Sequence, residues 1–115
     1  MERRPITYPG AMDRIAPADV TDPPAVDQLF DHAEHDWGPV DVLIASAGAG
    51  YSARIERTSD ADWYRMLELN LTAPFRCLRR AIPAMRAAGY GRIVVIASTA
   101  SRRPEGVNAT PRYGV

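Results

Sequence analysis

The sequence predicts an α/β fold built on a doubly wound parallel sheet, and three observations carry that expectation. Short apolar runs bounded by turn signals alternate with longer stretches whose apolar residues recur every three or four positions. From residue 15 the order is strand, helix, strand, helix, strand, which right-handed crossovers turn into a parallel sheet. The strand candidates are followed by small or polar residues, as expected where a ligand meets the carboxyl edge of such a sheet.

Residues 1 to 14 mix charge with Pro5, Pro9 and Gly10 and show no period, so they are expected to be an irregular N-terminal segment. Ile15 to Val20 is a short strand candidate ending at Thr21-Asp22. Asp22 before Pro23 and Pro24 starts a helix, because a carboxylate can accept from orphan N–H groups and proline suits the first turn. Val26, Leu29, Phe30, Ala33 and Trp37 fall on one face of that helix, with Asp27, Asp31, Glu34 and Asp36 assigned to water. Gly38-Pro39 ends it.

Val40 to Ala45 is a continuous apolar run, apart from Asp41, of the kind expected for a parallel strand covered on both faces. Ser46-Ala47-Gly48-Ala49-Gly50 then has almost no side-chain volume, so backbone can approach a ligand there. Ser59 to Asp62 has capping-box-like spacing and opens a long helix through Met66, Leu67, Leu71, Phe75, Leu78, Ile82 and Met85 to Gly89. Pro74 and Pro83 interrupt it. Pro74 has no N–H for the carbonyl of Asn70, which is left to bind something else. Arg92 to Ala97 is the strongest strand signal, and Ser98 leaves its end.

Length and charge narrow the function. A chain of 115 residues holds one domain at most, or part of one. Fourteen basic residues balance 14 acidic ones, so no electrostatic footprint for a nucleic-acid backbone or anionic membrane exists. The longest charge-free run, Val42 to Ala53, is well short of the roughly 20 residues of a membrane span. No early apolar run suggests a secretory signal, and Cys77 is the single cysteine, so a cytoplasmic protein without disulfides or a thiolate metal cluster is expected. His32 and His35 lack an evident third ligand and are assigned to solvent, so no metal site is expected.

Three polar groups stand out at the carboxyl edge: Asn70 within an apolar helix, Ser98 at a strand end, and Tyr113. In this order and on this scaffold the chain resembles the short-chain dehydrogenase/reductase family. The segments that carry the resemblance are Asp19-Val20-Thr21-Asp22, the strand from Val40 into Ala45-Ser46-Ala47-Gly48, Asn70-Leu71-Thr72, and Gly91 through Ser98. The resemblance implies a partial Rossmann-like dinucleotide-binding domain over residues 15 to 115, comprising family strands three, four and five with their two intervening helices. It also implies NAD or NADP as cofactor and a small-molecule alcohol or carbonyl as substrate. Asp19 and Val20 would contact the adenine, and Ala45, Ser46, Ala47 and Gly48 would line the nucleotide cleft. Asn70 would hold a water in a proton relay, Ser98 would orient the carbonyl, and Tyr113 would be the acid/base.

That assignment suits the chemistry, since hydride delivery to a carbonyl leaves an alkoxide that a hydroxyl must polarise and an acid must protonate. Several family features are absent from these residues. No Gly-x-x-x-Gly-x-Gly loop occurs, the position four after Tyr113 where the family has lysine falls past Val115, and Ala45-Ser46 replaces an asparagine pair. The chain is therefore expected to be an internal piece of such an enzyme, with little turnover of its own. The resemblance also implies that the long helix can join a homo-oligomer. Two alternatives are a non-catalytic module that associates with an intact relative through that helix, and a nucleotide-binding remnant. In the family strand order, 3-2-1-4-5 and onward, only the Val42 and Ile93 strands are neighbours here. The Ile15 strand is then expected to be loosely held, with apolar surface exposed on Leu43, Ile44, Val94 and Ile96.

Overall fold

A computed structural model describes residues 16–50 and 53–97. Helix α1 spans Pro23–Trp37, strand β1 Val42–Ala45, helix α2 Asp60–Leu67, helix α3 Ala73–Ala88 and strand β2 Arg92–Val95. A single 3-10 turn, Ile55–Arg57, precedes α2, and a π-turn, Glu68–Thr72, joins α2 to α3 without a break. The strands pair in parallel, with Leu43 opposite Ile93 and Ile44 opposite Val94. Backbone bonds from Arg92 to Asp41 and from Ile96 to Ala45, both 2.9 Å, extend the ladder at either end. This is the expected α/β arrangement, and the expected neighbours are the ones that pair.

The first expected strand does not form over the described residues: 16–19 are irregular and Val20-Thr21 lies in a turn. No described strand flanks this segment, and the bonds of its turn are local, apart from the one that the Thr21 carbonyl accepts from Arg76. The Asp22 N–H donates to the Asp19 carbonyl at 3.1 Å, and the Asp19 carboxylate accepts from both the N–H and the hydroxyl of Thr21. Asp22 precedes α1 but makes no side-chain cap. With Pro24 in the second helical position, one of the N–H groups that such a cap would reach is missing.

Periodicity places the core only in part: Val26, Phe30 and Met85 are buried as expected, but Trp37, Leu71, Phe75 and Ile82 of the expected apolar series are exposed, because the smaller Ala73, Cys77 and Ala81 take the packed face of the long helix. Val26 and Phe30 of α1 close on Cys77, Ala81 and Met85 of α3, with Val20, Val40 and Leu43 packed against them. Ala81 is fully buried, so α1 and α3 approach closely where their side chains are small. The acidic face of α1 departs from the expected solvated one. Asp31 and Glu34 converge on Arg80, at 2.8 Å from Asp31 and at 2.7 and 3.0 Å from the two oxygens of Glu34, while Asp27 lies 3.7 Å from its Nε. The Arg80 guanidinium also sits 5.3 Å from the centroid of the Phe30 ring. Its pKa is raised, first by the Glu34 hydrogen bonds. Replacing Arg80 by methionine keeps the stem but strands these carboxylates. In a double-mutant cycle with Glu34→Gln, urea denaturation is expected to give about 1 kcal/mol of coupling, and additivity would show the clamp to be inert.

The helices cover one face of β1 and leave β2 exposed on both, with Ile93 and Val95, the partners of Leu43 and Ala45, 38% and 48% exposed. Leu43 and Ala45 are half-buried, whereas Ile44 is 62% exposed, and Val94 and Ile96 are also open to solvent. Exposure was expected at Leu43 too, but that side chain points to the helix layer. The exposure of Ile44, Val94 and Ile96 follows the expectation drawn from the family strand order, and the cover on both faces suggested by the apolar run at Val40 to Ala45 is not found among the described residues.

Both ends of the long helix are as expected. The Ser59 hydroxyl accepts from the Asp62 N–H at 3.1 Å, capping α2. Gly89 has φ +66° and closes α3, with the Tyr90 N–H reaching the Met85 carbonyl and the Gly89 N–H reaching Arg86. That crossed pair needs a left-handed residue, which glycine adopts without strain. Pro83 lies inside α3 and does not stop it. Next to the cap, a Cβ on Gly91 would lie 2.6 Å from Cγ and Sδ of the buried Met85. Gly91→Ala is expected to cost about 1–3 kcal/mol by displacing Met85 from the core. An unchanged urea midpoint would show that Met85 moves aside freely.

Candidate functional site

At the carboxyl end of β1 the chain runs through Ala45, Ser46, Ala47, Gly48 and Ala49, and the described geometry is organised by Asn70. Its Oδ1 accepts from the Ala49 N–H at 3.2 Å, while Nδ2 donates to the Ala49 carbonyl at 2.9 Å and to the Met66 carbonyl at 3.0 Å. One amide thus grips both backbone groups of Ala49 and ties the loop to the helix. Gly48 lies directly under this grip, where a Cβ would stand 2.8 Å from Oδ1. Ala45-Ser46, standing where the family has an asparagine pair, offers no amide side chain of its own, and the side chain of Asn70 ties the loop.

Asn70 stands in the middle of the π-turn. The Ala73 N–H bonds to the Glu68 carbonyl, five residues back, just ahead of Pro74. Proline has no N–H for the usual bond to residue 70, and the local wide turn is how the helix passes this position. The backbone effect of Pro74 was legible in the sequence, but the side-chain bond to Ala49 was not, because a single alanine among small residues gives no signal.

Four of the six expected cofactor residues border one cavity of about 270 Å³, which Asp19 and Gly48 do not line. Val20, Ala45, Ser46 and Ala47 line it, with Leu43, Phe30 and Cys77 at its base. Asp19 lies beside Val20 on the exposed turn, and the two Thr21 hydrogen bonds hold its carboxyl below the ordinary value of 3.8, so it is ionised at neutral pH. Burial pushes the Cys77 thiol upward, the setting of a packed rather than a reactive cysteine. Ser98 and Tyr113 lie outside the described residues. Among the described residues no group of His, Cys, Asp and Glu is placed to hold a metal ion, and no helix is long and apolar enough to cross a membrane.

A parallel strand pair, a helix layer and a small-residue loop held beyond the strand ends define a Rossmann-like scaffold. The chain belongs to the short-chain dehydrogenase family, whose model matches residues 7–114. It is 35% identical over 114 residues to a short-chain type dehydrogenase/reductase of Picea abies, covering 97% of this chain and 40% of that one. It is 39% identical over 80 residues to the 3-oxoacyl-(acyl-carrier-protein) reductase MabA of Mycobacterium avium, covering 70% and 31%. Among solved structures, a short-chain dehydrogenase/reductase from Burkholderia xenovorans superposes with a TM-score of 0.71 at 37% identity, over 75% of this chain and 34% of that one. An alcohol dehydrogenase from Thermococcus sibiricus, complexed with 5-hydroxy-NADP, superposes with a TM-score of 0.68 at 30% identity, over 84% and 38%. The chain therefore spans about a third to two fifths of the length of these relatives.

Proposed function

We propose that this chain serves nicotinamide-dependent hydride transfer between a small-molecule alcohol and its carbonyl, as part of a short-chain oxidoreductase. The observation that carries the proposal is the Asn70 grip on Ala49, which ties down a loop of small residues that shares a cavity with Val20. These residues fit one part of a dinucleotide: an ionised Asp19 and the Val20 backbone for the adenine, and the small residues from Ala45 to Gly48 along the cleft. A Cβ at Gly48 would collide with the amide that holds the loop. When bound, the nicotinamide ring supplies or accepts the hydride.

The chain's own residues do the rest. Asn70 fixes the loop with its side chain, and its main-chain carbonyl, denied the N–H of Pro74, is the group proposed to hold a relay water. Ser98 donates a hydrogen bond to the substrate oxygen, and Tyr113 gives up or takes the proton as that oxygen changes between carbonyl and alcohol.

The test is saturation-transfer NMR of the full chain with NADH. Transfer to the adenine protons, lost in Asp19→Ala, is expected. No transfer at millimolar NADH, or transfer indifferent to Asp19, would overturn the assignment. Turnover by the isolated 115 residues is expected to be negligible, because they contain no Gly-x-x-x-Gly-x-Gly loop for the pyrophosphate. Activity matching an intact relative would refute that expectation.

A second proposal, association with another copy or an intact relative, is favoured by Leu71, Phe75 and Ile82, which are all exposed on the π-turn and α3. A saturable complex in sedimentation velocity would support it, and a monomer that co-purifies with no relative would count against it.

A further inference from the structure

We propose that Arg76 is a positioning residue that couples the adenine-side turn to the turn carrying Asn70, a role that rests on the function proposed above. One guanidinium nitrogen, Nη1, donates to the Thr21 carbonyl at 3.2 Å and to the carboxylate Oε1 of Glu68. Thr21 belongs to the turn whose N–H and hydroxyl hold the Asp19 carboxylate. Glu68 opens the π-turn in which Asn70 holds the loop after β1. The two halves of the candidate nucleotide site lie about fifty residues apart in sequence and meet on this nitrogen, which can serve both because an Nη carries two hydrogens.

The π-turn makes the bridge geometrically available. Positions eight apart in a regular helix are two turns plus nearly one residue apart, at 3.6 residues per turn, so Glu68 and Arg76 would diverge around the axis. The wide turn takes up about one extra residue and brings them into line. The local feature that sets the Asn70 backbone thus also aligns the carboxylate that holds Arg76. The Arg76 side chain is only 18% exposed and that of Glu68 35%, so water competes weakly for the bridge. Arg80, one turn on, is committed to α1 and cannot substitute.

A rigid bridge of this kind keeps the adenine grip of Asp19 and the loop held by Asn70 at a constant separation, so a ligand spanning them meets a prearranged site. Arg76 touches neither ligand nor reacting atoms in this role.

The coupling can be read without ligand. Nitrogen–proton correlation NMR and amide exchange are recorded on the full chain and on Arg76→Leu, Arg76→Lys and Glu68→Gln. Arg76→Leu is expected to shift the Thr21 and Asp22 amides together with the Asn70 side-chain NH2 signals. It should also speed exchange at Asp22 and Ala73 by about tenfold, with the β1 and β2 amides unchanged. Glu68→Gln is expected to move the Thr21 amide although it does not touch that residue, and Arg76→Lys to restore part of the pattern. A uniform rise in exchange across α1, α3 and the strands, or a response confined to one turn, would overturn the proposal. Should Arg76→Leu not fold, Glu68→Gln alone decides, because a silent Thr21 amide in that variant refutes the coupling. NADH added to the wild-type chain separates the two ideas: coupled turns with no response to NADH would remove the nucleotide assignment and leave the bridge standing.

Discussion

Replacing Phe30 by alanine is expected to remove about 3–5 kcal/mol of stability, the usual cost of a large aromatic lost from a core. Phe30 is 5% exposed and is the largest side chain in a cluster otherwise made of Val26, Cys77, Ala81 and Met85. Small domains have only about 5–15 kcal/mol in total, so little or no cooperative transition should survive. The cavity cannot collapse easily, because Ala81 already brings α3 against α1. The ring also supports the Arg80 guanidinium, so the variant loosens the acidic clamp as well. Urea denaturation followed by Trp37 and Trp63 fluorescence checks this. A loss below about 1 kcal/mol would mean that Phe30 is not the centre of the core.

The second large effect is expected at Asn70. Asn70→Asp keeps an acceptor for the Ala49 N–H but turns the donor that served the Ala49 and Met66 carbonyls into an anionic oxygen facing them. Losing these bonds is expected to cost about 1–2 kcal/mol and to free the loop, with repulsion making this change at least as damaging as Asn70→Ala. Protonating the introduced carboxyl restores one donor, so the penalty should shrink as pH falls, whereas that of Asn70→Ala should not follow. Amide exchange at Ala49 in the two variants across pH distinguishes them. Equal, pH-independent effects would show that the grip is not made through the Nδ2 donors.

Most of this architecture is legible in the residues, and the exceptions share a cause. The spacing of Val26 and Phe30 gives the packed face of α1, Gly89 the end of α3, and the β-branched run at Ile93 the second strand. Those are local signals. The large apolar series Leu71, Phe75 and Ile82, by contrast, points to the wrong face of the long helix, whose packed side is the smaller Ala73, Cys77 and Ala81. The fate of Asp31 and Glu34 is not local, because Arg80 lies 49 and 46 residues away and a solvated acidic face has the same periodicity as a clamped one. The turn at Asp19 to Asp22 replaces the expected strand because strand formation depends on a neighbour, not on composition alone. Family resemblance singles out Asn70, yet the bond to Ala49 had to be seen in three dimensions. Ser98 and Tyr113 rest on the sequence and lie outside the described residues.

The described sheet of two strands has a further consequence. Each strand satisfies one side of its backbone and leaves the other side as a row of N–H and C=O groups that another extended chain could match. Beside that open rim stand Ile44, Val94 and Ile96, and the net charge of zero at pH 7 supplies no long-range repulsion between molecules. Through the described residues, an added strand from a second molecule is expected to compete with the monomer as concentration rises, most strongly near the isoelectric point of about 6.7, and light scattering across pH checks it.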